Sequence, residues 1–274
     1  MTEAPLDPKS EKNVVQSLAK GFRVLEAMAT EGRELTMAET ARAAGIDNAT
    51  AFRFLNTLVM LGYVERAEAR RFRLTLKCLD LGFGAIARAE LRDLARPLLR
   101  SLVGPEIEAA SLAVVDRSEI VYVERVQAGL ARLGVEVRIG SRAPIHSTAV
   151  GHAILAQMPP HAQSAMLESS DRRQLTPNTL TGLEALLARL AEVRAAGYAL
   201  SDQENVQGLR VLAAPVVDAD GVPLAAISVA APAFAMTLDH FRTIARAPVI
   251  AAARALSRAA QAAGSIALPA PGRG

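Results

Sequence analysis

The sequence predicts an α+β protein of two unequal domains, a small all-α domain closed by a short hairpin and a larger one of paired strands interleaved with helices. Three observations predict it. Apolar residues recur at steps of three or four through roughly the first sixty positions, the period of a helix face. Two period-2 runs then flank a polar AEARR tip. Beyond them, strand-like and helical segments alternate to the end of the chain. At 274 residues, 51% of them hydrophobic, the chain can bury two cores, since domains run to roughly 100 to 200 residues. It has no run of about 18 uncharged apolar residues, and the start MTEAPLDPKSEKN lacks the apolar centre of a secretory signal. A cytoplasmic protein with no membrane partner is expected.

Each element has a local reason. From Val14 onward, Leu18, Phe22, Leu25 and Met28 share one helical face that ends near Gly32. Thr36, with Glu39 three residues on, has the form of a capping box opening a short helix through Ala44, and Gly45 supplies a left-handed stop. Asp47 and Asn48 are good N-caps for AFRFLNTLVML, which keeps helical period to Gly62. Tyr63 to Glu65 and Phe72 to Leu74 form two short strands around the tip. Residues 13–76 therefore read as a winged helix-turn-helix. Residues 77–90 are expected as a linker helix and 91–263 as the second domain, with strands in SLAVV, IVYVERV, VEVRIG, Leu209 to Val217 and Leu224 to Ala230. Helices are expected from Thr148 to Gln157, Leu180 to Ala196 and Thr237 to Ala262. The tails, 1–12 and 264–274, are expected to be disordered.

The net charge of +3 is too small to establish a nucleic-acid partner, so local patterning must decide. In the second helix of the pair, Ala51, Phe54, Leu55, Leu58 and Leu61 form the packing stripe, and Thr50, Arg53 and Thr57 face outward. An α-helix fits a major groove, where arginine donates two hydrogen bonds to a guanine edge; Arg53 is the expected base reader. Arg66, Arg70, Arg71 and Arg73 are spaced to project from the hairpin toward phosphates, opposed only by Glu65 and Glu68. Clusters of surface charge are often merely solvated. A hairpin tip with adjacent Arg70 and Arg71, placed after a helix pair, serves phosphate contacts and no core.

These strings together resemble the IclR-type transcription regulators over nearly the whole chain: VVQSLAKGFRVLEAM, LTMAETARAAGI and FLNTLVMLGYVER, then IVYVERV, IGSRAPIHSTAVGHAILA, GYALSDQE and GLRVLAAPVVDADGVPLAAISVAAP. QSLAKGFRVLEAM is most similar to the branch that controls aromatic-acid catabolism, the protocatechuate and hydroxybenzoate regulators. The resemblance implies a winged helix-turn-helix joined to a GAF-like or profilin-like effector domain, and dimers or tetramers on a palindromic double-stranded operator. Thr50, Arg53 and Asn56 match its recognition helix. Asn48 and Ala49 stand where the family usually carries a basic residue and a serine, and the phosphate contacts of those two are not expected here.

Carried onto this chain, the family's ligand pocket implies Thr148, Ala149 and Val150 at a helix start, Ser201 and Asp202, Val211, and Ser228 with Ala230. Backbone N–H groups at a helix start attract a carboxylate, and His146 is expected to add charge. Ser201, Val211 and Ala230 replace the acid, cysteine and serine of some members, which implies a more apolar ligand such as an aromatic acid. His146 and His152 lie six apart with His161 beyond, not at zincin spacing. The single Cys78 forms neither a disulfide nor a zinc site, and reads as a buried apolar thiol. No GxSxG, GxGxxG or P-loop occurs, so no cofactor is expected. Two other readings stay open: an enzyme carrying a basic assembly domain, and a winged helix that binds only protein.

Overall fold

The computed structural model describes residues 14–85, 89–128 and 137–262; the expected tails and the first two residues of VEVRIG fall outside them. The chain divides into two compact units, one ending at Ala87 and one starting at Arg88.

In the first unit, α1 (Gln16–Glu31), β1 (Leu35–Thr36), α2 (Met37–Ala44), α3 (Asn48–Met60), β2 (Val64–Arg66), β3 (Arg71–Leu74) and α4 (Lys77–Ala85) follow in order. The core is Val24, Met28, Leu35, Leu55, Leu58 and Val64, with Leu25, Phe54, Phe72 and Leu74 packed against it. The inward face of α1 differs from the expected stripe. Val24, Ala27 and Met28 are buried, whereas Leu18 and Phe22 are 61% and 49% exposed. The reason is a small residue. Gly21 stands against the Phe54 ring, 3.7 Å from where its Cβ would lie, so a face traced through bulky side chains misses the true one. At the end of α3, Leu61 likewise lies outside the packing stripe, half exposed after the last helical turn.

Both predicted caps form. Thr36 Oγ1 accepts from the Glu39 N–H while Glu39 Oε2 accepts from the Thr36 N–H, which satisfies two donors at the start of α2. Asp47 accepts from the Thr50 N–H at 2.8 Å and caps α3. β2 and β3 pair antiparallel, Glu65 opposite Arg73 and Arg66 opposite Phe72, and β1 adds a third strand beside β3. Between them a single 3-10 turn spans Glu68–Arg70, with Ala69 and Arg70 left-handed at φ 54° and 59°.

The second unit is a six-stranded antiparallel sheet in the order β6-β5-β4-β9-β8-β7. Its elements are α5 (Ala89–Leu102), β4 (Ala109–Asp116), β5 (Glu119–Gln127), β6 (Arg142–Pro144), α6 (Ala149–Leu155), α7 (Pro160–Ser169), α8 (Leu183–Ala196), β7 (Ala199–Asp202), β8 (Leu209–Val217), β9 (Pro223–Pro232) and α9 (Leu238–Ala262). α6 and α8 bury Val150, Ala153, Ile154, Leu186 and Leu190 against Ala113, Ala199, Ala213 and Ala226 of one sheet face. Strand alternation sends Glu124 toward α5, where Arg92 binds it, and the Val217 N–H, beside a register shift in β8, donates to Ser257 of α9. Two sequence expectations need correction. Of VEVRIG, residues 137–140 form no strand, and the edge strand is Arg142–Pro144. Helix α7 was not expected, because it buries only Gln163 and Leu167 and so carries almost no apolar period.

Candidate functional site

Arg53 lies on the exposed side of α3 and has no ion-pair partner among the described residues. Around it the helix is tightly organised. The Thr50 hydroxyl donates to Asp47 at 2.7 Å and the Thr57 hydroxyl donates to the Arg53 carbonyl at 2.9 Å. Asn56 Oδ1 accepts from Arg66 Nη2 at 2.7 Å, which ties the hairpin to the same side of the helix. The Asp47 carboxyl is held below the usual carboxylate range by the Thr50 hydroxyl and N–H, so the cap stays ionised and hydrogen-bonded.

The four hairpin arginines divide into two pairs. Arg70 at the left-handed tip and Arg66 carry no carboxylate partner among the described residues. Arg73 donates to Glu65 at 2.5 Å and lies 3.6 Å from Glu34, contacts with Glu65 first that raise its pKa. Arg71 donates to the Glu34 carbonyl and lies 3.6 Å from the Glu39 carboxylate. The expectation that only Glu65 and Glu68 oppose these arginines is thereby corrected: Glu34 and Glu39 approach through β1, which pairs with β3. Glu39 is held down to about 2, first by the Thr36 N–H and hydroxyl and then by Arg33. Of the basic side chains of α3 and the hairpin, Arg53, Arg66 and Arg70 are those without a carboxylate partner among the described residues.

In the second unit, the sheet face that carries α6 continues as two transverse rows of residues, small ones except for Val211 and Arg125. One runs Ser201, Val211, Ala230, Ala109 and the next Ala213, Ser228, Ser111, Arg125. Val211, Ser228 and Ala230 line a cavity of about 20 Å³ together with Ala109, Ser111, Tyr122 and Arg125, and Val137 and Leu209 form the rest of its wall. That volume admits one water-sized sphere, so an organic acid needs the wall to move outward. Sequence reasoning missed Ser111, Tyr122 and Arg125. Tyr122 and Arg125 are an odd number of residues apart, which places them on opposite faces of a regular strand. A register shift opposite Leu112 and Ala113 brings both to one face.

The remaining expected ligand residues are not brought to this cavity. Thr148, Ala149 and Val150 are buried, α6 has only seven residues, and the Thr148 hydroxyl itself accepts from the Gly151 N–H. The expectation that His146 adds charge to a carboxylate site is overturned. Its Nε2 meets the Arg173 carbonyl at 3.1 Å, and burial lowers its pKa, favouring the neutral ring. His152 is fully buried against the His146 carbonyl at 2.6 Å and burial pushes it down to about 4; His161 is exposed on α7. Ser201 is buried one strand beyond Val211. Asp202 pairs with Arg210 at 2.7 Å and borders a separate open groove with Arg189, Tyr198 and Glu204. Cys78 is only partly buried, its thiol donating to the Tyr63 carbonyl. Among the described residues there is no cluster of three metal-ligating side chains, and no helix is long and apolar enough to cross a membrane.

A helix pair with a basic hairpin, followed by a sheet domain holding a small cavity, defines a DNA-binding regulator with an effector domain. The chain belongs to the IclR family: residues 17–68 match the IclR helix-turn-helix domain, and residues 83–258 match the C-terminal domain of bacterial IclR transcriptional regulators. It is similar to the HTH-type transcriptional regulator KdgR of Escherichia coli, with 34% identity over 85% of this chain and 87% of that one. The Pca regulon regulatory protein of Pseudomonas putida is 34% identical over 78% of this chain and 73% of its own. A transcriptional regulator from Rhodococcus sp. RHA1 superposes with a TM-score of 0.81 at 34% identity, covering 92% of this chain and 100% of that one. An IclR homolog from Microbacterium hydrocarbonoxydans, solved in complex with 4-hydroxybenzoate, superposes at 0.77 with 25% identity, covering 90% and 99%. The chain is thus a transcription regulator and not an enzyme, and its N-terminal unit binds DNA.

Proposed function

We propose that this regulator reads a palindromic operator as a homodimer or homotetramer and changes its operator affinity when a small aromatic carboxylic acid binds the cavity of the second domain. The observation that carries the DNA half is the exposed Arg53, without an ion-pair partner among the described residues, on a helix to which the hairpin is fastened through Arg66 and Asn56. In this reading Arg53 contacts base edges, and Arg70 contacts phosphate. Thr50, Asn56, Thr57, Arg71 and Arg73 border the same duplex. Residues 77–90 connect the two domains and transmit the effector's preference for one arrangement of the oligomer. Support for the aromatic acid comes from the apolar walls Ala109, Val211 and Ala230, the 4-hydroxybenzoate bound to the Microbacterium homolog, and the similarity to a Pca regulon regulator. The protein acts in the cytoplasm, at the nucleoid.

A band-shift titration on the DNA upstream of its own gene, repeated over a range of salt, tests the reading. Arg53→Ala is expected to weaken specific binding by about 1 to 3 kcal/mol and relax base preference, whereas Arg70→Ala weakens binding to all sequences alike and reduces the salt slope by about one. Equal losses on specific and random DNA for Arg53→Ala overturn its base-reading role.

A further inference from the structure

The cavity contains a charge that no carboxylate among the described residues neutralises. Arg125 donates from Nη1 to Ser111 Oγ at 3.0 Å, while its Nε is buried and has no hydrogen-bond partner. No carboxylate of the described residues lines the cavity. The adjacent Glu124 points through the other sheet face, where Arg92 and Arg96 hold it at 2.6 and 3.1 Å. Tyr122 offers no compensating charge, because burial raises its phenol and keeps it protonated. Burial also lowers the pKa of Arg125. A part-buried guanidinium without a counter-ion is costly, and an arginine fork matches a carboxylate better than any other ligand group of that size.

We propose that Arg125 is the carboxylate anchor of the effector cavity: its guanidinium, fixed by Ser111, takes the carboxylate of a monocarboxylic acid whose apolar body lies against Ala109, Val211 and Ala230. The assignment rests on the small-acid reading above and gives it a polarity, with the acid group toward β5 and the body across β4, β9 and β8. One guanidinium without a second cation in the cavity selects one carboxylate, and a dicarboxylate buries an unpaired charge. An acid entering here displaces the Leu209 and Val137 wall, which makes the shape of the domain depend on the ligand.

Calorimetric titration of the full-length protein with 4-hydroxybenzoate, pyruvate and the neutral 4-hydroxybenzamide tests this, together with the melting temperature of each ligand-free variant. The wild type is expected to bind an acid and to discriminate against the amide. Arg125→Gln is expected to weaken the acid roughly tenfold to a hundredfold while melting no lower than the wild type, since it removes an uncompensated charge. Ser111→Ala, which only loosens the guanidinium, is expected to lose severalfold and serves should the first variant fail to fold. Undiminished acid binding by Arg125→Gln overturns the anchor and leaves the small-acid reading standing. A ligand-free Arg125→Gln that melts lower marks a structural arginine and overturns it as well. Failure of both acids to bind the wild type overturns the small-acid reading and the anchor together.

Discussion

Gly151, in the first turn of α6, has room for hydrogen alone: a Cβ there would lie 2.0 Å from the Ile145 carbonyl oxygen and 2.8 Å from its carbon. Both neighbours are backbone, so no side-chain rotation relieves the clash, and either α6 or the segment that enters it must shift. Gly151→Ala is therefore expected to destabilise the protein by about 3 kcal/mol or more, read as a lower urea midpoint of the second domain with an unchanged slope. Wild-type stability in this variant excludes the close approach. The same scale shows why the ligand cavity was only half legible. Val211, Ser228 and Ala230 came from the resemblance, whereas Arg125 sits in the apolar run IVYVERV and looks like one solvated charge at a strand end. Its neighbours Ser111 and Ser228 are distant in sequence and meet it only through strand pairing. His146 misled for the converse reason, since the Arg173 carbonyl that occupies it lies far along the chain.

At the scale of elements, what was legible is what local chemistry decides. The capping box of α2, the Asp47 cap of α3 and the left-handed Gly45 follow from residues three or four apart. The face of α1, the non-strand conformation of residues 137–140 and helix α7 depend on partners elsewhere, such as Phe54 over Gly21. Thr36→Ala is expected to cost about 1 kcal/mol, because it opens the box that also holds Glu39 near Arg33 and Arg71; denaturant unfolding of the N-terminal domain measures it. The hairpin hangs on α3 through Arg66 and Asn56. If that hydrogen bond fixes the hairpin for DNA, Arg66→Ala and Asn56→Ala are not independent. A double-mutant cycle on operator affinity is expected to give a coupling of about 0.5 to 1.5 kcal/mol. Additive losses mean that the two side chains meet DNA separately.

At the scale of the whole molecule, each unit has its own core and its own response to acid. In the second, His152 is buried neutral. Its Nε2 donates to the His146 carbonyl, and its buried Nδ1 has no acceptor that would receive a second proton. Protonation therefore favours the unfolded chain. Between the ordinary imidazole value of 6.5 and the folded value of about 4, the unfolded state binds more protons, so stability falls as pH drops through that window, by on the order of 3 kcal/mol for this group. His146, also lowered by burial, acts in the same direction. The first unit contains no histidine among its described residues. Its acid sensitivity comes from carboxylates such as Glu39, lowered to about 2 from 4.5. Glu39 contributes stability that is present above 4.5 and lost as pH falls toward 2. Scanning calorimetry from pH 7 to pH 4.5 is expected to show the second domain's transition moving down while the first domain's holds still, and His152→Gln is expected to flatten the drift of the second. A first-domain transition that moves in step with the second over this range, or a drift unaffected by His152→Gln, contradicts the assignment of acid sensitivity to the buried imidazole.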